Sequence, residues 1–339
     1  MNIAKKITIN FRKLLFMKET YTHKVKINKE LSSVRLDKIL TRKLEKFSRM
    51  QIKMLIKSGN VKLDNHLILD PSYLVRENDN FEITIIRPKE TKFTGEDIKL
   101  NIIYEDDDLI VIDKQAGIVT HPAPGNQTGT LVQALIYHSK NKLSDINGNN
   151  RPGIVHRLDK NTSGIMVVAK NNYTHINLAE QFKVHSISRK YQAIIWGVPS
   201  DQIIEGYIER HKINRKKMSL NNKENGKFSK TKIKLIKSFN NSSLIECMLY
   251  TGRTHQIRLH LTSINAPIVG DEVYGRNKIS KYGLDKKNFN KFLILQNFKR
   301  QALHASYLGF FHPTLKKNVE FKSRLPEDMT NLLDLLLKY

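Results

Sequence analysis

The alternation of apolar and polar positions divides the chain into two regions that differ in secondary structure. In the first region, apolar residues recur at helical spacing over 36–44 and 52–56, which predicts two amphipathic helices. A short hairpin at 61–69 and an alternating strand at 81–85 are predicted to follow. From residue 101 onward, strand patterns outnumber helical patterns and are separated by turns of hairpin length. This distribution predicts an α+β fold with a mixed, largely antiparallel sheet and flanking helices.

The second region also contains two basic segments without a regular pattern. Residues 210–232 are predicted to form a mobile arm or an irregular hairpin. Residues 276–300, rich in Lys and Asn, are predicted to be an insertion or loop. The predicted strands of this region are 102–104, 109–113, 165–169, 191–196, 244–250 and 303–311, and the predicted helices are 131–136, 176–182 and 329–337.

Composition along the chain indicates where its parts begin and end. Residues 1–22 form a basic extension that we expect to be disordered. It has no sustained apolar core and no small-residue cleavage site, so a secretory signal is not expected. Residues 23–88 contain the helix pair, residues 89–100 form a polar linker, and residues 101–339 form a larger domain. Met17 is an alternative start, and the residues before it would then be dispensable.

Charge is the strongest global feature of the sequence. The chain carries 58 Lys and Arg against 32 Asp and Glu, a formal net charge of +26. This excess predicts a polyanionic partner, either nucleic acid or an anionic membrane surface. No run of about 18 apolar residues is present, so no transmembrane helix is expected. The only cysteine, Cys247, excludes an internal disulfide and a cysteine-rich zinc site, and a reducing cytoplasm fits this composition.

Metal and nucleotide cofactors are not expected from the sequence. The 12 histidines include no pair at the spacing of a helical zinc site. Asp106, Asp107 and Asp108 resemble a metal-binding tract, but they lie between two predicted strands, so a hairpin turn is the preferred interpretation. No glycine-rich phosphate-binding loop is present either.

Residues 151–170 contain the densest cluster of polar residues between apolar runs. Residues 165–169 have the pattern of a buried strand, and the polar loop before them ends at Gly164. Asp159 is the only carboxylate of this stretch and has cations on both sides, which favours its ionised form. The residues alone leave two interpretations open: a reactive carboxylate, or a solvated connecting loop in which Asp159 makes a turn.

Residues 34–86 resemble the S4 RNA-binding domain. The resemblance rests on Arg-Leu-Asp-Lys-Ile-Leu at 35–40, Ser-Arg at 48–49 and Ile-Lys-Ser-Gly-Asn-Val-Lys-Leu-Asp at 56–64. It implies that cations of the helix pair contact RNA, whereas an ordinary solvated face is the alternative. A DNA-binding helix-turn-helix at 36–57 is more distant, because a hairpin follows the helices. The implied RNA-binding residues are Arg35, Lys38, Arg49, Lys53 and Lys57.

Four segments of the larger region resemble the signature motifs of the RluA-type pseudouridine synthases. They are His-Arg-Leu-Asp with Thr-Ser-Gly at 156–164, Arg-Lys-Tyr-Gln-Ala at 189–193, Thr-Gly-Arg-Thr-His-Gln-Ile-Arg-Leu-His at 251–260 and Pro-Ile-Val-Gly-Asp at 267–271. Their order behind an S4-like domain makes the resemblance specific. It implies a catalytic domain that isomerises uridine in RNA, a reaction without redox change that requires no metal or other cofactor.

The resemblance also implies roles for individual residues. Asp159 would attack C1′ of the target uridine, attack its base, or remove a proton from C2′; each role needs an ionised carboxylate. Arg258 would hold that carboxylate in place, and Tyr191 would stack on the base. Arg157 would fill the space that the extruded base leaves, and Arg253 would contact RNA.

Within this family, the chain most resembles the large-subunit rRNA synthases of type D. That resemblance implies uridines of the helix 69 stem-loop of 23S rRNA as targets. The partner would be free rRNA or the assembling large subunit, with no membrane, and the protein would be a cytoplasmic monomer. A type C-like synthase acting on other uridines, and a non-catalytic S4-type RNA-binding or ribosome-assembly factor, remain alternatives. The charge favours residues 210–232 as an RNA clamp over a solvated loop.

Overall fold

The computed structural model describes residues 18–44, 47–88, 94–122, 125–140, 142–146, 151–214, 217–221, 224–275 and 286–338. The chain divides into two compact units, Met1–Thr91 and Lys92–Tyr339, called unit 1 and unit 2 below. Of the predicted disordered extension, residues 1–17 lie outside the described residues, whereas residues 18–22 belong to a strand of unit 1. No helix in the described part of the chain is long and apolar enough to cross a membrane.

Unit 1 combines two helices with a four-stranded antiparallel sheet. Helices α1 (Leu36–Lys43) and α2 (Arg49–Lys57) confirm the predicted pair, and Ser48 is the N-cap of α2. Apolar side chains from one face of each helix share a core with the sheet. The strands are β1 (Lys18–Lys26), β2 (Val61–Leu63), β3 (His66–Leu67) and β4 (Asn80–Pro88), and their order in the sheet is β1-β4-β2-β3.

Unit 2 is built on one ten-stranded sheet. Its strands are β5 (Ile102–Glu105), β6 (Leu109–Lys114), β7 (Ser163–Ala169), β8 (Ser188–Trp196), β9 (Gln202–Arg210), β10 (Met218–Asn221), β11 (Lys227–Ser238), β12 (Ser242–Leu249), β13 (Leu303–Phe311) and β14 (Asn318–Lys322). Its helices are α3 (Leu131–His138), α4 (Asn172–Lys183), α5 (Gln256–Ser263), α6 (Lys286–Gln296) and α7 (Glu327–Lys338). The sheet order is β10-β9-β11-β12-β8-β13-β7-β6-β5, with β14 beside β13. Only the pair of β7 and β13 is parallel among the described strands, which confirms the mixed, largely antiparallel α+β prediction.

Two predictions for the basic segments of unit 2 are wrong in detail. The mobile-arm alternative for residues 210–232 is wrong and the hairpin alternative is closer, because β9 pairs with β10 in an antiparallel hairpin and with the first half of β11. The segment 276–300 contains a helix, α6, where a loop was predicted, while residues 276–285 lie outside the described residues. Phe292 and Leu295 of α6 are three positions apart and both buried, so a helical apolar face is present among the Lys and Asn residues.

Strand β7 fixes the polar loop that precedes it. All seven residues of β7 are buried, and the strand lies between β6 and β13 at the centre of the core. Gly164 has a φ of 117°, and an added Cβ would collide with the backbone of Ala305, so this position requires glycine. The apolar lead-in to the loop is not a full strand, since Ile154 forms a single bridge to Val168.

The second part of the predicted linker is attached to unit 2. The Glu96 carboxylate accepts hydrogen bonds from Gln133 Nε2 at 2.6 Å and from the Gly129 backbone N–H at 2.9 Å. Gln115 Nε2 donates to the backbone oxygen of Lys99 at 3.2 Å. Residues 89–93 lie outside the described residues, so the structure assigns only residues 94–100 of this segment to the larger unit.

Candidate active site

The structure brings Asp159 and Arg258 together, although they are 99 residues apart in the chain. Arg258 lies on helix α5, and its Nη1 donates to Asp159 Oδ2 at 2.9 Å. Asp159 sits on the loop before β7 with 21% of its side chain exposed. Its other oxygen, Oδ1, receives no hydrogen bond from the residues that the structure describes. One carboxylate oxygen is therefore held by Arg258 while the other is free of hydrogen bonds from the described residues, and Asp159 lines a pocket.

Arg258 is itself fixed by a second carboxylate that was not predicted to act there. Its Nε and Nη2 donate to Asp271 at 2.7 and 2.9 Å, a bidentate pair in which Asp271 is 1% exposed. The Tyr274 ring lies 5.0 Å from the guanidinium carbon. Burial alone would lower the pKa of Arg258, but hydrogen bonds and charge from Asp271 and Asp159 outweigh it and raise the pKa. Arg258 is thus a permanent cation with one donor directed at Asp159.

Tyr191 lines the same pocket as Asp159 and Arg258. It lies on strand β8, and its residue is 8% exposed. Burial raises the pKa of the Tyr191 phenol, with opposing effects from Arg189 and Asp159. The phenol therefore stays protonated at neutral pH, and the pocket presents an aromatic ring beside an anionic and a cationic group.

One histidine and one lysine near the Asp159 carboxylate, His255 and Lys114, have no role in the sequence-based predictions. His255 Nε2 lies 3.7 Å from Asp159 Oδ2, and its Nδ1 is 2.9 Å from Tyr274 Oη. Burial lowers the pKa of His255, and the charge of Asp159 opposes that shift. Lys114 is buried and donates to the backbone oxygens of Gln115, Ile118 and Lys160 at 2.9–3.1 Å. Burial lowers the pKa of Lys114 to about 7.

Further hydrogen bonds anchor the backbone of the Asp159 loop. Thr120 Oγ1 donates to the backbone oxygen of Leu158 at 3.1 Å. Arg300 Nη1 donates to the backbone oxygen of Asn161 at 3.1 Å. The loop is therefore held by side chains from several distant segments, which sequence spacing does not reveal, and Asp159 starts from a preorganised position.

Arg157 and Arg253 reach the same pocket from its rim. Arg157 is exposed, and its Nη1 lies 3.5 Å from His121 Nε2. Arg253 Nε donates to the backbone oxygen of Phe228 at 2.9 Å. Both predicted RNA-contacting arginines therefore stand beside the carboxylate rather than elsewhere on unit 2.

The predicted RNA-binding cations of unit 1 fall into two groups. Arg35 and Arg49 donate to the buried Asp37 carboxylate at 2.9–3.3 Å, and Lys53 lies 3.8 Å from it. Burial alone would raise the pKa of Asp37, but the hydrogen bonds from Arg35 and Arg49 hold it below its ordinary value. Of the five predicted RNA-binding cations, Lys38 and Lys57 form no ion pair in the described part of the chain.

The acidic tract between β5 and β6 closes a hairpin, as predicted. Asp106, Asp108 and His312 place one ligand-type atom each within 4.8 Å of one another. The Asp106 carboxylate already accepts from Tyr104 Oη, His312 Nε2 and the backbone N–H groups of Asp108 and Leu109. These bonds account for the position of Asp106 as part of the turn.

Comparison with known proteins identifies both units. The family described as RNA pseudouridylate synthase matches residues 108–263, and the S4 domain matches residues 34–81. The chain is 43% identical over 318 residues to the ribosomal large subunit pseudouridine synthase D of Zymomonas mobilis, covering 93% of this chain and 98% of that protein. The Pseudomonas aeruginosa protein of the same description is 39% identical, with 91% and 93% covered.

A solved structure of related fold is also similar. The human RNA pseudouridylate synthase domain containing 4 superposes with a TM-score of 0.55 at 26% identity, covering 70% of this chain and 93% of that one. Both matched segments agree with the sequence resemblances, since residues 34–81 lie in unit 1 and residues 108–263 in unit 2.

Proposed function

The chain belongs to the RNA pseudouridylate synthase family, and from this premise we propose that it isomerises uridines of large-subunit rRNA with Asp159 as the catalytic carboxylate. The observation that carries the proposal is the 2.9 Å contact between Asp159 and Arg258 in a pocket that Tyr191 also lines. The large-subunit substrate is supported by the descriptions of the relatives from Zymomonas mobilis and Pseudomonas aeruginosa.

The reaction breaks the bond between N1 of uracil and C1′ of ribose, turns the base, and joins C5 to C1′. Asp159 Oδ1 serves as the group that acts on the sugar or base, since Arg258 already occupies Oδ2. Attack at C1′, attack on the base and proton removal at C2′ all need an ionised carboxylate, and the Arg258 guanidinium holds that carboxylate in place at 2.9 Å. The proton on C5 is lost and a proton is gained at N1, so the overall reaction is neutral in atoms and charge.

Tyr191 and Arg157 divide the handling of the base between them. The target base must leave its stack to reach a carboxylate inside a pocket. Tyr191 offers a ring for stacking, and the raised pKa of its phenol argues against a phenolate base at neutral pH. Arg157, exposed at the pocket rim, is positioned to enter the space that the base vacates.

The helix 69 stem-loop is the proposed target within the large-subunit rRNA. This choice rests on the resemblance of the chain to type D synthases. A type C-like activity on other uridines of the same RNA is the alternative, and mapping the modified positions separates the two.

Purified wild-type protein, Asp159→Asn and Asp107→Asn are incubated with large-subunit rRNA, and pseudouridines are mapped by carbodiimide modification. Asp159→Asn is expected to lower kcat by at least about 10³-fold, because the amide cannot supply an anionic oxygen. Asp107 is exposed on the β5–β6 turn, so Asp107→Asn removes the same charge and retains full activity. Wild-type protein that forms no pseudouridine overturns the proposed reaction, and activity retained in Asp159→Asn overturns the assignment of the carboxylate.

A further inference from the structure

A second cavity, here called the Arg189 pocket, adjoins the candidate active site. Its volume is about 490 Å³, and it shares Arg157, Tyr191 and Arg253 with the pocket that contains Asp159. The basic side chains that line it are Arg157, Lys183, Arg189, Arg253 and the histidines His156 and His185; no carboxylate lines it among the described residues, although Lys183 pairs with Glu180 at 3.0 Å.

Arg189 is the unusual member of this set because it is buried without a partner. It lies two residues before Tyr191 on β8, so both side chains point to the same face of the sheet. The residue is 7% exposed, and its Nε and Nη2 have no hydrogen-bond partner in the described part of the chain. Its guanidinium lies 5.6 Å from the Phe182 ring. A buried charge without a counterion is strongly unfavourable, so an anion from outside would supply what the fold lacks.

The backbone around Arg189 leaves room for its guanidinium to face the pocket. A Cβ added to Gly252 would lie 2.5 Å from Arg189 Nη1, so any larger residue at position 252 would displace the guanidinium. Gly252 lines the same pocket. The glycine therefore keeps one edge of Arg189 accessible at the pocket wall.

The neighbouring cations raise the electrostatic potential of the pocket. Burial lowers the pKa of Arg189; Tyr191 opposes this shift and Arg253 adds to it. Burial also lowers the pKa of His185, and the charges of Arg253 and Arg189 lower it further. A bound anion would relieve these repulsions. Nε and Nη2 of Arg189 are enclosed, so Nη1 is the guanidinium nitrogen available to a ligand, and a charge-assisted hydrogen bond from it to an anionic oxygen makes a phosphate ester a good chemical fit.

We propose that the Arg189 pocket binds a phosphodiester group of the RNA backbone next to the target uridine. The proposal rests on the proposed function for the identity of the RNA. The two pockets share Tyr191 and Arg157, so a phosphate beside Arg189 belongs to the nucleotide at Asp159 or to its immediate neighbour. Extrusion rotates a nucleotide about its backbone, which repositions the phosphates on either side and lets one of them reach a pocket next to the base site.

Arg189→Met tests the proposal, because methionine replaces the apolar stem of arginine and removes the charged guanidinium. The matched control is Lys190→Met on the same strand, whose side chain faces the other side and lies 3.5 Å from Glu246. Affinity is measured by fluorescence anisotropy on a labelled helix 69 stem-loop RNA over a range of salt concentrations. Arg189→Met is expected to bind about 10- to 100-fold more weakly and to reduce the slope of log Kd against log salt by about 0.7 to 0.9. Lys190→Met is expected to stay within about threefold of wild type.

Thermal unfolding without RNA separates a binding role from a structural one. Removal of an unpaired buried charge leaves the midpoint of Arg189→Met equal to or above that of wild type, whereas a structural arginine would give a lower midpoint. RNAs with one neutral methylphosphonate linkage then locate the phosphate. Wild type is expected to lose affinity at one linkage beside the uridine, and Arg189→Met to be insensitive to that same change.

Equal affinity and salt slope for Arg189→Met and wild type would overturn the proposal, as would a lowered midpoint with unaltered methylphosphonate response. Binding is measured at equilibrium and without turnover. It therefore decides the phosphate site even if wild type forms no pseudouridine, a result that would overturn only the proposed reaction.

Discussion

Each unit contains a cluster of aspartate and arginine, but the central, buried member of the cluster differs between them. In unit 1 the centre is a carboxylate: Asp37 is fully buried, and the side chains of Arg35 and Arg49 that pair with it are 39% and 47% exposed. In unit 2 the centre is a guanidinium: Arg258 is 6% exposed, and it pairs with the buried Asp271 and the more accessible Asp159.

The buried member of each cluster orients the member that a substrate can meet. In unit 1 the buried carboxylate holds cations at the surface, which is the arrangement that suits a polyanion such as RNA. In unit 2 the buried cation holds a carboxylate at a pocket, which is the arrangement that suits chemistry on a single nucleotide. Under the proposed function, the same two chemical groups would serve a binding surface in one unit and a reactive site in the other.

Removing the buried carboxylate is expected to have its largest effect in unit 2, because the arginine left behind is buried there. Asp271→Asn leaves Arg258 with a single carboxylate and is expected to lower the free energy of unfolding by about 3–5 kcal/mol. It is also expected to lower kcat by about 10²-fold with little change in KM, since Arg258 then presents Nη1 to Asp159 in several orientations. Denaturant unfolding followed by the fluorescence of Trp196, the only tryptophan of the chain, measures the first effect.

Glu272→Gln is the matched control for Asp271→Asn. Glu272 is the next residue, is exposed, and carries the same charge, so its loss is expected to change neither quantity appreciably. If Asp271→Asn lowers stability and leaves kcat and its pH profile intact, Asp271 supports the fold without positioning Arg258. The buried cation of unit 2 would then not be what orients Asp159 for the reaction.

Asp37→Asn is expected to have a smaller effect, because water can hydrate the half-exposed arginines that remain. We expect a loss of about 1.5–3 kcal/mol in the local stability of unit 1, the range for hydrogen bonds to a charged group. Amide hydrogen exchange of unit 1 peptides measures this loss, and the Trp196 unfolding transition of unit 2 provides an internal reference. Asp64→Asn, at an exposed turn between β2 and β3, controls for charge. A loss as large as that of Asp271→Asn would contradict the difference drawn between the clusters.

Local sequence patterns predict the elements of both units better than they predict these clusters. The helix pair of unit 1 and six strands of unit 2, β5, β6, β7, β8, β12 and β13, follow from apolar residues that recur with the period of the element. Helix α6 was missed because Lys and Asn dominate its segment and obscure the spacing of Phe292 and Leu295. Strand β11 was missed because Lys227, Lys232 and Lys234 occupy exposed positions and suggested a mobile arm, and β10 was missed because it has only four residues and no buried apolar position.

The ion pairs depend on contacts that sequence spacing does not contain. Asp37 occupies a polar position in an amphipathic helix, and its burial requires Arg49 from the next helix. The resemblance predicted that Tyr191 and Arg258 would stand near Asp159, and the structure places all three at one pocket. It did not predict that Asp271 would hold Arg258, nor that Arg189 would be buried without a partner, because both facts arise only when distant strands and loops meet.

A fall in pH is expected to lower the free energy of unfolding of the two units over different pH ranges, by somewhat less than the Asp37→Asn substitution does. Burial lowers the pKa of His260 in unit 2 to about 4, below the ordinary value of about 6.5. The unfolded chain therefore binds a proton as the pH falls below about 6.5 while the folded chain does not, so stability present above that pH is lost progressively toward pH 4. For His260 this amounts to about 2 kcal/mol at pH 5 relative to pH 7.5. The pKa of Asp37 in unit 1 is lowered in the folded state. The stability that Asp37 contributes is therefore present above its ordinary pKa of about 3.9 and is lost only as the pH falls below that value.

His260→Gln identifies the histidine responsible. The variant is expected to show a pH dependence of Trp196-monitored unfolding that is flatter by about 2 kcal/mol between pH 7.5 and 5. Hydrogen exchange in unit 1 is expected to report no parallel change in its local opening free energy over that range. Identical pH profiles for wild type and variant would show that His260 does not carry this acid sensitivity.

The smallest expected effect concerns Lys38 and Lys57, the two predicted RNA-binding cations of unit 1 that do not pair with Asp37. The double variant Lys38→Met, Lys57→Met removes two exposed charges that make no ion pair with the described residues. RNA binding is expected to weaken roughly 3- to 10-fold, with a salt slope reduced by about 0.7 to 0.9 per lysine and stability unchanged within about 0.5 kcal/mol. The control is Lys29→Met, Lys62→Met, which removes the same charge outside the helix pair.

An unaltered salt slope in the Lys38 and Lys57 variant would mean that these lysines are an ordinary solvated face. Of the five predicted RNA-binding cations of unit 1, Arg35, Arg49 and Lys53 would then remain, all within ion-pair distance of Asp37. A reduced slope in the control as well would show that RNA responds to the overall charge of unit 1 rather than to its helices. A loss of RNA affinity that occurs with the helix-pair variant and not with the control supports the proposal that the cations around the buried Asp37 form a surface for RNA.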